Sequence, residues 1–425
     1  MPKSQDVQGN DVLGWAFTKL WSATAFSNLA DGILKTAAPL AAVRLTDSPL
    51  LLGGLAAALY LPWLLFSLPA GVIADRADRR KVMLAGQAVR IIVATLVTLA
   101  FVTDIASIYL LYVAAFLIGT AEVLYDITAQ AILPQVVSKK ALSKANARQQ
   151  GVEIATNQFI GPPLGGLMVG ASVALAMGVP AALWVLAFGL LAWMPGRYRP
   201  QRIIATGGDT PAVSNWRARL YADVREGLGY LFRHRILRTL ALMTGLTNLA
   251  TAATGAVFVL FAVGADSPMG LTDAGFGLLV TTLAAGAILG SLLAQRAIRR
   301  LGRARSIGFA IVAETGMAVV PAITTSVWII GAVWAVAGFG LMLWNVTVVT
   351  LRQSIIPEPL MGRVNSAYRL LGTGTAPLGA LLGGLLGELF GLRAVFIVGA
   401  TLVALAGFGL FVVRERAIEA AIAAG

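Results

Sequence analysis

Hydrophobic residues run along this chain in stretches of about 20, each cut by a polar, glycine or proline interruption, the length an α-helix needs to cross a bilayer core of about 30 Å. The stretches lie near 13–42, 50–74, 82–102, 105–132, 146–168 and 171–194, then near 237–263, 272–295, 306–324, 326–350, 364–388 and 392–413. The pattern predicts an all-α polytopic membrane protein with twelve transmembrane helices in two six-helix bundles. Between the two sets lies the longest polar stretch, Pro195–Arg238. The expected organisation is an N-terminal bundle over 1–194, a cytoplasmic linker over 195–236 and a C-terminal bundle over 237–425. Within the linker, Leu220, Val224, Leu228 and Leu231 recur at helical spacing between Trp216 and Phe232, which predicts an amphipathic helix on the membrane surface.

Composition narrows the function classes. Of 425 residues, 58% are hydrophobic and only 12% charged, where a soluble domain has about 25%. The net charge of +13 raises the possibility of a nucleic-acid partner, but the basic residues sit in short loops rather than on one solvated face, so none is expected. Those loops carry Arg76, Arg79, Arg80, Lys81; Lys139, Lys140, Lys144; Arg197, Arg199, Arg202; Arg296, Arg299, Arg300, Arg303, Arg305; Arg363; and Arg414 and Arg416. The opposite loops hold little beyond Arg44 and Arg393. Positive charge is retained on the cytoplasmic side, which puts both termini and the linker there and the chain in the inner (cytoplasmic) membrane.

Cysteine is absent, and the one histidine, His234, lies in a basic polar segment, so disulfides, thiolate metal sites and cysteine nucleophiles are excluded and no metal is expected. Met1–Asp11 lacks the pattern of a cleaved signal peptide, so the first span is expected to stay. No GxxxxGK[ST] loop occurs, which leaves an ion gradient rather than ATP as energy source and no cofactor.

The densest polar interruption is Gly71-Val-Ile-Ala-Asp75-Arg76-Ala-Asp78-Arg79-Arg80-Lys81. As a topology signal it explains Arg80 and Lys81 but not the two aspartates. The halves also echo each other. Gln130-Ala-Ile-Leu-Pro134 closes the fourth span and Gln353-Ser-Ile-Ile-Pro357 the tenth; Gly161-Pro162-Pro-Leu-Gly165-Gly166 and Ala376-Pro377-Leu-Gly379 follow inside the next spans. Arg299-Arg300-Leu-Gly302-Arg303-Ala-Arg305 repeats the charged loop without its acids. Three echoes in one order argue for duplication.

On these features the chain resembles the major facilitator superfamily. Gly71-x-x-x-Asp75-Arg76-x-x-Arg79-Arg80-Lys81 is similar to that family's signature loop, and the likeness covers essentially the whole chain. Asp78, where glycine is common, and Met361-Gly362-Arg363-Val364-Asn365 resemble the branch of enterobactin exporters and macrolide efflux proteins. Asn157-x-x-x-Gly161-Pro162-x-x-Gly165-Gly166 resembles the antiporter motif of drug/proton exporters, with Asn157 in place of its first glycine. The resemblance implies a latch in which Arg76 or Arg79 reaches Asp126 while Gly71 permits close packing and Asp75 caps or pairs with the facing bundle. Gly161, Pro162, Gly165 and Gly166 either seal the path in one state or simply pack two helices.

Ionisable residues inside a membrane are costly, which makes each a functional candidate. Asn28, Asp31 and Lys35 share one face of the first span. Asp31 and Lys35 either neutralise each other or leave Asp31 to carry a proton. Glu122, one turn deeper than Asp126, is the second proton candidate, with Arg90 or Arg148 as partner. Glu153 and Glu314 are further single carboxylates, and Arg352 is placed to snorkel. A substrate cavity is expected at Asn28, Asp31, Tyr60 and Trp63 from the first half and Asn248, Trp344 and Asn345 from the second, with Thr244 and Thr251 on the face of Asn248.

The function these features predict is a proton-coupled exporter of lipophilic or amphipathic small molecules such as drugs or siderophores, not an enzyme. Its expected partners are substrate, protons and membrane lipid, and a monomer is expected. An importer or facilitator of the same fold is the nearest alternative. A lipid-modifying membrane enzyme would gather its acids at the interface, and a channel would not need breaks within its helices.

Overall fold

The computed structural model describes residues 13–138, 140–196, 198, 216–264, 267–357 and 360–423, with the side chains of 68, 216–224, 366 and 373 outside the description. The first half consists of α1 (Trp15–Ala42), α2 (Pro49–Arg76), α3 (Arg79–Val102), α4 (Ile108–Val136), α5 (Leu142–Glu153), α6 (Gly161–Ala171) and α7 (Val173–Ala192). A π-helical turn, Ile154–Ile160, joins α5 to α6 without a loop. After α8 (Trp216–Arg233) come α9 (Arg235–Ala262), α10 (Asp273–Leu301), α11 (Arg303–Ile323) and α12 (Val327–Ile355). The chain ends with α13 (Met361–Thr373), α14 (Ala376–Phe390), α15 (Leu392–Ala406), a 3₁₀ turn at Gly407–Phe411 and α16 (Glu415–Ala423).

Ten spans among the described residues are long and apolar enough to cross a membrane, with α13 and α14 reading as one. The other two expected spans are α1, which carries Lys19, Asp31 and Lys35, and the interrupted α5–α6. Large apolar side chains such as Trp328, Ile323 and Leu292 are more than two-thirds exposed. In a chain of this composition such surface faces lipid rather than water.

Two compact units result, and they are not consecutive halves of the chain. The first takes in Met1–Asp47, Ala58–Arg202 and Leu271–Thr281; the second takes in Ser48–Ala57, Ile203–Gly270 and Thr282–Gly425. Backbone approach at glycine is the physical reason for the two short exchanges. A Cβ at Gly53 would lie 2.6 Å from the Ala380 carbonyl oxygen, which places the start of α2 against α14 in the second unit. A Cβ at Gly277 would lie 3.2 Å from the Pro163 Cα, which places the start of α10 against α6 in the first.

Each unit has its own core. In the first, Phe17, Leu20, Met83, Tyr125, Ile132 and Leu191 pack together, and Trp184 closes a second cluster with Ala30 and Ala94. In the second, Leu237, Leu240, Ile307, Leu351 and Val403 form the centre. Residues 199–215, which hold most of the expected linker, lie outside the described residues, as do the side chains of Leu220 and Val224. The described face of α8 packs on protein: Leu231 is fully buried in the second core, Glu226 pairs with Arg363 of α13 at 2.6 Å, and Tyr230 donates to the Ile355 carbonyl at 3.3 Å.

Candidate functional site

In the first unit, α1, α3, α4, α7 and the π turn bring a set of polar side chains into an otherwise apolar interior. Thr24 is three and four residues before Ser27 and Asn28, and these are four and three before Asp31, so α1 presents the four on one stripe. Gln87 and Arg90 do the same on α3, and both are fully buried. The Arg90 Nη1 donates to the Ser27 hydroxyl at 2.8 Å and lies 3.6 Å from the Asp31 carboxylate; Gln87 donates to the same hydroxyl at 3.0 Å. The guanidinium carbon sits 5.3 Å from the Tyr125 ring and 5.4 Å from that of Trp184, while Nε and Nη2 have no hydrogen-bond partner. After Asp31, the carboxylates that act on Arg90 are Glu122 and Asp126 of α4.

Within α1, Lys35 forms no direct ion pair with Asp31 among the described residues; its ammonium donates to the Asn157 Oδ1 at 2.7 Å, and the Asn157 amide donates in turn to Asn28 at 3.3 Å. Arg90, one of the two partners expected for Glu122, forms its direct ion pair with Asp31. Arg148 instead offers its backbone carbonyl to the Trp21 indole at 3.1 Å. Ser27 and Gln87 were missed by sequence reasoning. Their only signal was three- or four-residue spacing to Asp31 and Arg90 inside apolar runs.

Asn157 reaches this position because the helix changes pitch. Pro162 and Pro163 offer no N–H, so the carbonyls one turn earlier lose their α-helical donors, and the backbone widens to a π turn in which Gly161 N–H bonds to the Thr156 carbonyl. A Cβ at Gly32 would lie 2.6 Å from the Asn157 carbonyl oxygen and one at Gly161 would lie 2.6 Å from the Gly32 Cα, so the π turn lies directly on α1. Gly165 approaches Ile33 in the same way, whereas Gly166 meets the first turn of α10 at Gly277. Close packing and polar positioning are thus joint consequences of this motif. At that turn of α10, Asp273 pairs with Arg44 at 2.6 Å, a contact the sequence did not announce.

The signature loop is organised differently from the expected latch. Asp78 is the N-cap of α3, accepting from the Arg80 and Lys81 amides at 3.1 and 3.4 Å, which gives it a purpose glycine would not serve. Arg80 donates to the carbonyls of Leu191 and Ala192, and Lys19 to that of Trp193 at 2.6 Å, so two cations close the C-terminus of α7. Arg80 is therefore more than a topology charge. Arg79 donates to the Ala131 carbonyl at 2.7 Å and pairs with Asp75 at 3.7 Å, not with Asp126. Arg76 is exposed, and a Cβ at Gly71 would meet nothing within 4 Å.

Each expected cavity residue has its own surroundings within its unit. Tyr60 is 44% exposed and Trp63 half-buried. Asn345 is exposed, and Trp344 is buried in the core of the second unit. Asn248 is committed to a helix break: with Pro377 in the first turn of α14, the Gly372 carbonyl accepts from the Asn248 amide at 2.8 Å and from the Thr375 hydroxyl at 2.9 Å. In the same unit Glu314 accepts from Thr251 at 2.8 Å, and Arg352 stacks 4.1 Å over the Tyr368 ring.

A family model described as transmembrane secretion effector matches residues 13–424. The chain belongs to that family of major facilitator transporters. Within it, the multidrug efflux pump Tap of Mycobacterium tuberculosis (strain ATCC 25618 / H37Rv) is 24% identical over 400 residues, covering 91% of this chain and 90% of Tap. The transporter YfiS of Bacillus subtilis (strain 168) is 24% identical, with the same two coverages. Among solved structures, a variant of the nucleoside transporter NupG superposes with a TM-score of 0.74 at 12% identity, covering 93% of this chain and 99% of NupG. A bacterial homologue of the iron transporter ferroportin, inward-facing, gives 0.71 at 18%, covering 93% and 98%. At these identities the structures show a shared all-helical fold.

Proposed function

We propose that this transporter is a proton-coupled exporter of lipophilic or amphipathic small molecules, drugs or siderophores among them, working by alternating access. The observation that carries the reading is the buried Asp31–Arg90 pair at 3.6 Å, with Glu122 and Asp126 acting on the same guanidinium. A buried carboxylate beside one buried cation, with further carboxylates acting on that cation, is a place to hold and release a proton, because charge without a partner is expensive there. Asn157 ties this group to the π turn, so a change in charge at Asp31 has a mechanical outlet along α1 and α6. The drug-efflux function named for Tap supports the direction and the substrate class. Alternating access then requires the start of α2 to leave α14 and the start of α10 to leave α6 together when the outer side opens.

The protein is taken to work as a monomer in the inner membrane with both termini cytoplasmic, driven by the proton gradient without a cofactor. Everted vesicles test the reading. A lipophilic dye should accumulate in an acidic lumen and leave when an uncoupler is added; accumulation indifferent to the gradient would favour a facilitator or importer instead.

A further inference from the structure

In the second unit a cavity of about 770 Å³ opens where α10 meets α11 and where the 3₁₀ turn leads into α16; Leu301, Arg305, Leu410, Val413, Arg414 and Glu415 line it. Its floor is apolar and its rim is cationic. Glu415 does not neutralise that rim, because its carboxylate is committed to the start of α11, accepting from the Arg303 and Ala304 amides at 3.3 and 2.9 Å. Arg305 and Arg414 are exposed and take part in no ion pair among the described residues. Phe408 and Phe411, stacked on each other in the turn that also carries the cavity-lining Leu410, are 63% and 65% exposed.

Two free guanidiniums above an apolar floor, at the end of membrane spans, complement a phosphate that carries acyl chains. We propose that this cavity binds an anionic phospholipid, with its phosphate between Arg305 and Arg414 and an acyl chain along Leu410, Phe408 and Phe411. The cavity has the size of an ordinary small-ligand site, which spans about 300–1,000 Å³. The inference stands apart from proton coupling: the lipid would tie the C-terminal segment to α11 whatever the substrate.

The full-length protein in nanodiscs of phosphatidylcholine with phosphatidylglycerol should retain phosphatidylglycerol in native mass spectrometry. Arg305→Gln with Arg414→Gln should weaken retention about thirtyfold, about fivefold per arginine. The same charge removed outside the cavity, Arg299→Gln with Arg300→Gln, should weaken it several-fold less. Equal melting temperatures in pure phosphatidylcholine discs establish that the variants are folded. Undiminished retention in the Arg305/Arg414 double variant overturns the proposal, as does equal loss in the Arg299/Arg300 variant, which would mean a diffuse basic field. Displacement of the lipid by inorganic phosphate at millimolar concentration would overturn it in favour of a free-anion site.

Discussion

Each unit contains one span broken ahead of proline, and the two breaks are resolved with different chemistry. Before Pro162 the backbone widens to a π turn, and Asn157 ends between Lys35 and Asn28, one helix face from Asp31 and Arg90. Before Pro377 the helix simply stops at Gly374, and the freed Gly372 carbonyl is satisfied by Asn248 and Thr375. Both breaks meet the demand that backbone groups deep in a membrane find partners. Only the first places an amide in contact with ionisable side chains. The two breaks thus share a position before proline and differ in what they place beside it.

The helix starts after the two basic loops differ in a similar way. Asp78 caps α3 from within its own loop, whereas α11, starting after Gly302 at φ 85°, receives its carboxylate from Glu415 more than a hundred residues later. The acids missing from the second loop are replaced by one from the C-terminal helix.

The comparison breaks most severely at Arg90. Arg90→Met leaves Asp31 buried without its cation, which should cost about 3–5 kcal/mol and lower the melting temperature in detergent. Arg352→Met, removing a cation that stacks only on Tyr368, should cost less than half of that. Next comes the contact between the π turn and α1. Gly161→Ala sets a Cβ 2.6 Å from the Gly32 Cα and should cost about 1–3 kcal/mol with slowed transport, whereas Gly71→Ala should change stability by no more than about 0.5 kcal/mol.

Sharper still is the pair of amides. Asn157→Ala and Asn248→Ala should each lose about 1–3 kcal/mol from stranded buried partners, but only Asn157→Ala should reduce dye efflux beyond what its stability loss explains. Efflux assays matched for expression level decide this; equal efflux losses would mean that both breaks serve the same purpose.

The smallest effect concerns His234, between α8 and α9. Burial pushes its imidazole below the ordinary 6.5, and Nδ1 accepts from the Leu237 amide at 3.4 Å. A depressed pKa means the folded state favours the neutral ring. Its contribution is present above pH 6.5 and lost as pH falls through the folded value. Melting curves from pH 7.5 to 5 should decline slightly more in the native protein than in His234→Asn.

The fold was legible because lipid imposes one length and one polarity on every span, and those survive in the hydropathy pattern. The site was half legible. Helical spacing placed Asn28, Asp31 and Lys35 on one face of α1, but nothing in one helix says which neighbour faces it, so the direct Asp31–Arg90 pair was not among the pairings the sequence offered. Family likeness located the signature loop but left Arg76 and Arg79 as alternatives for Asp126, whereas Arg79 donates to backbone carbonyls of α2 and α4 and pairs with Asp75. Local chemistry such as the Asp78 cap was written in the sequence. A cap supplied from Glu415 was not, because it depends on contact between residues far apart in the chain.

Substrate-dependent proton movement in proteoliposomes, read by a trapped pH dye, tests the central claim that charge at Asp31 couples the first unit to transport. Asp31→Asn should abolish the substrate-driven proton flux while downhill substrate exchange persists at a measurable rate. Proton flux of native size per substrate moved in that variant would contradict the account.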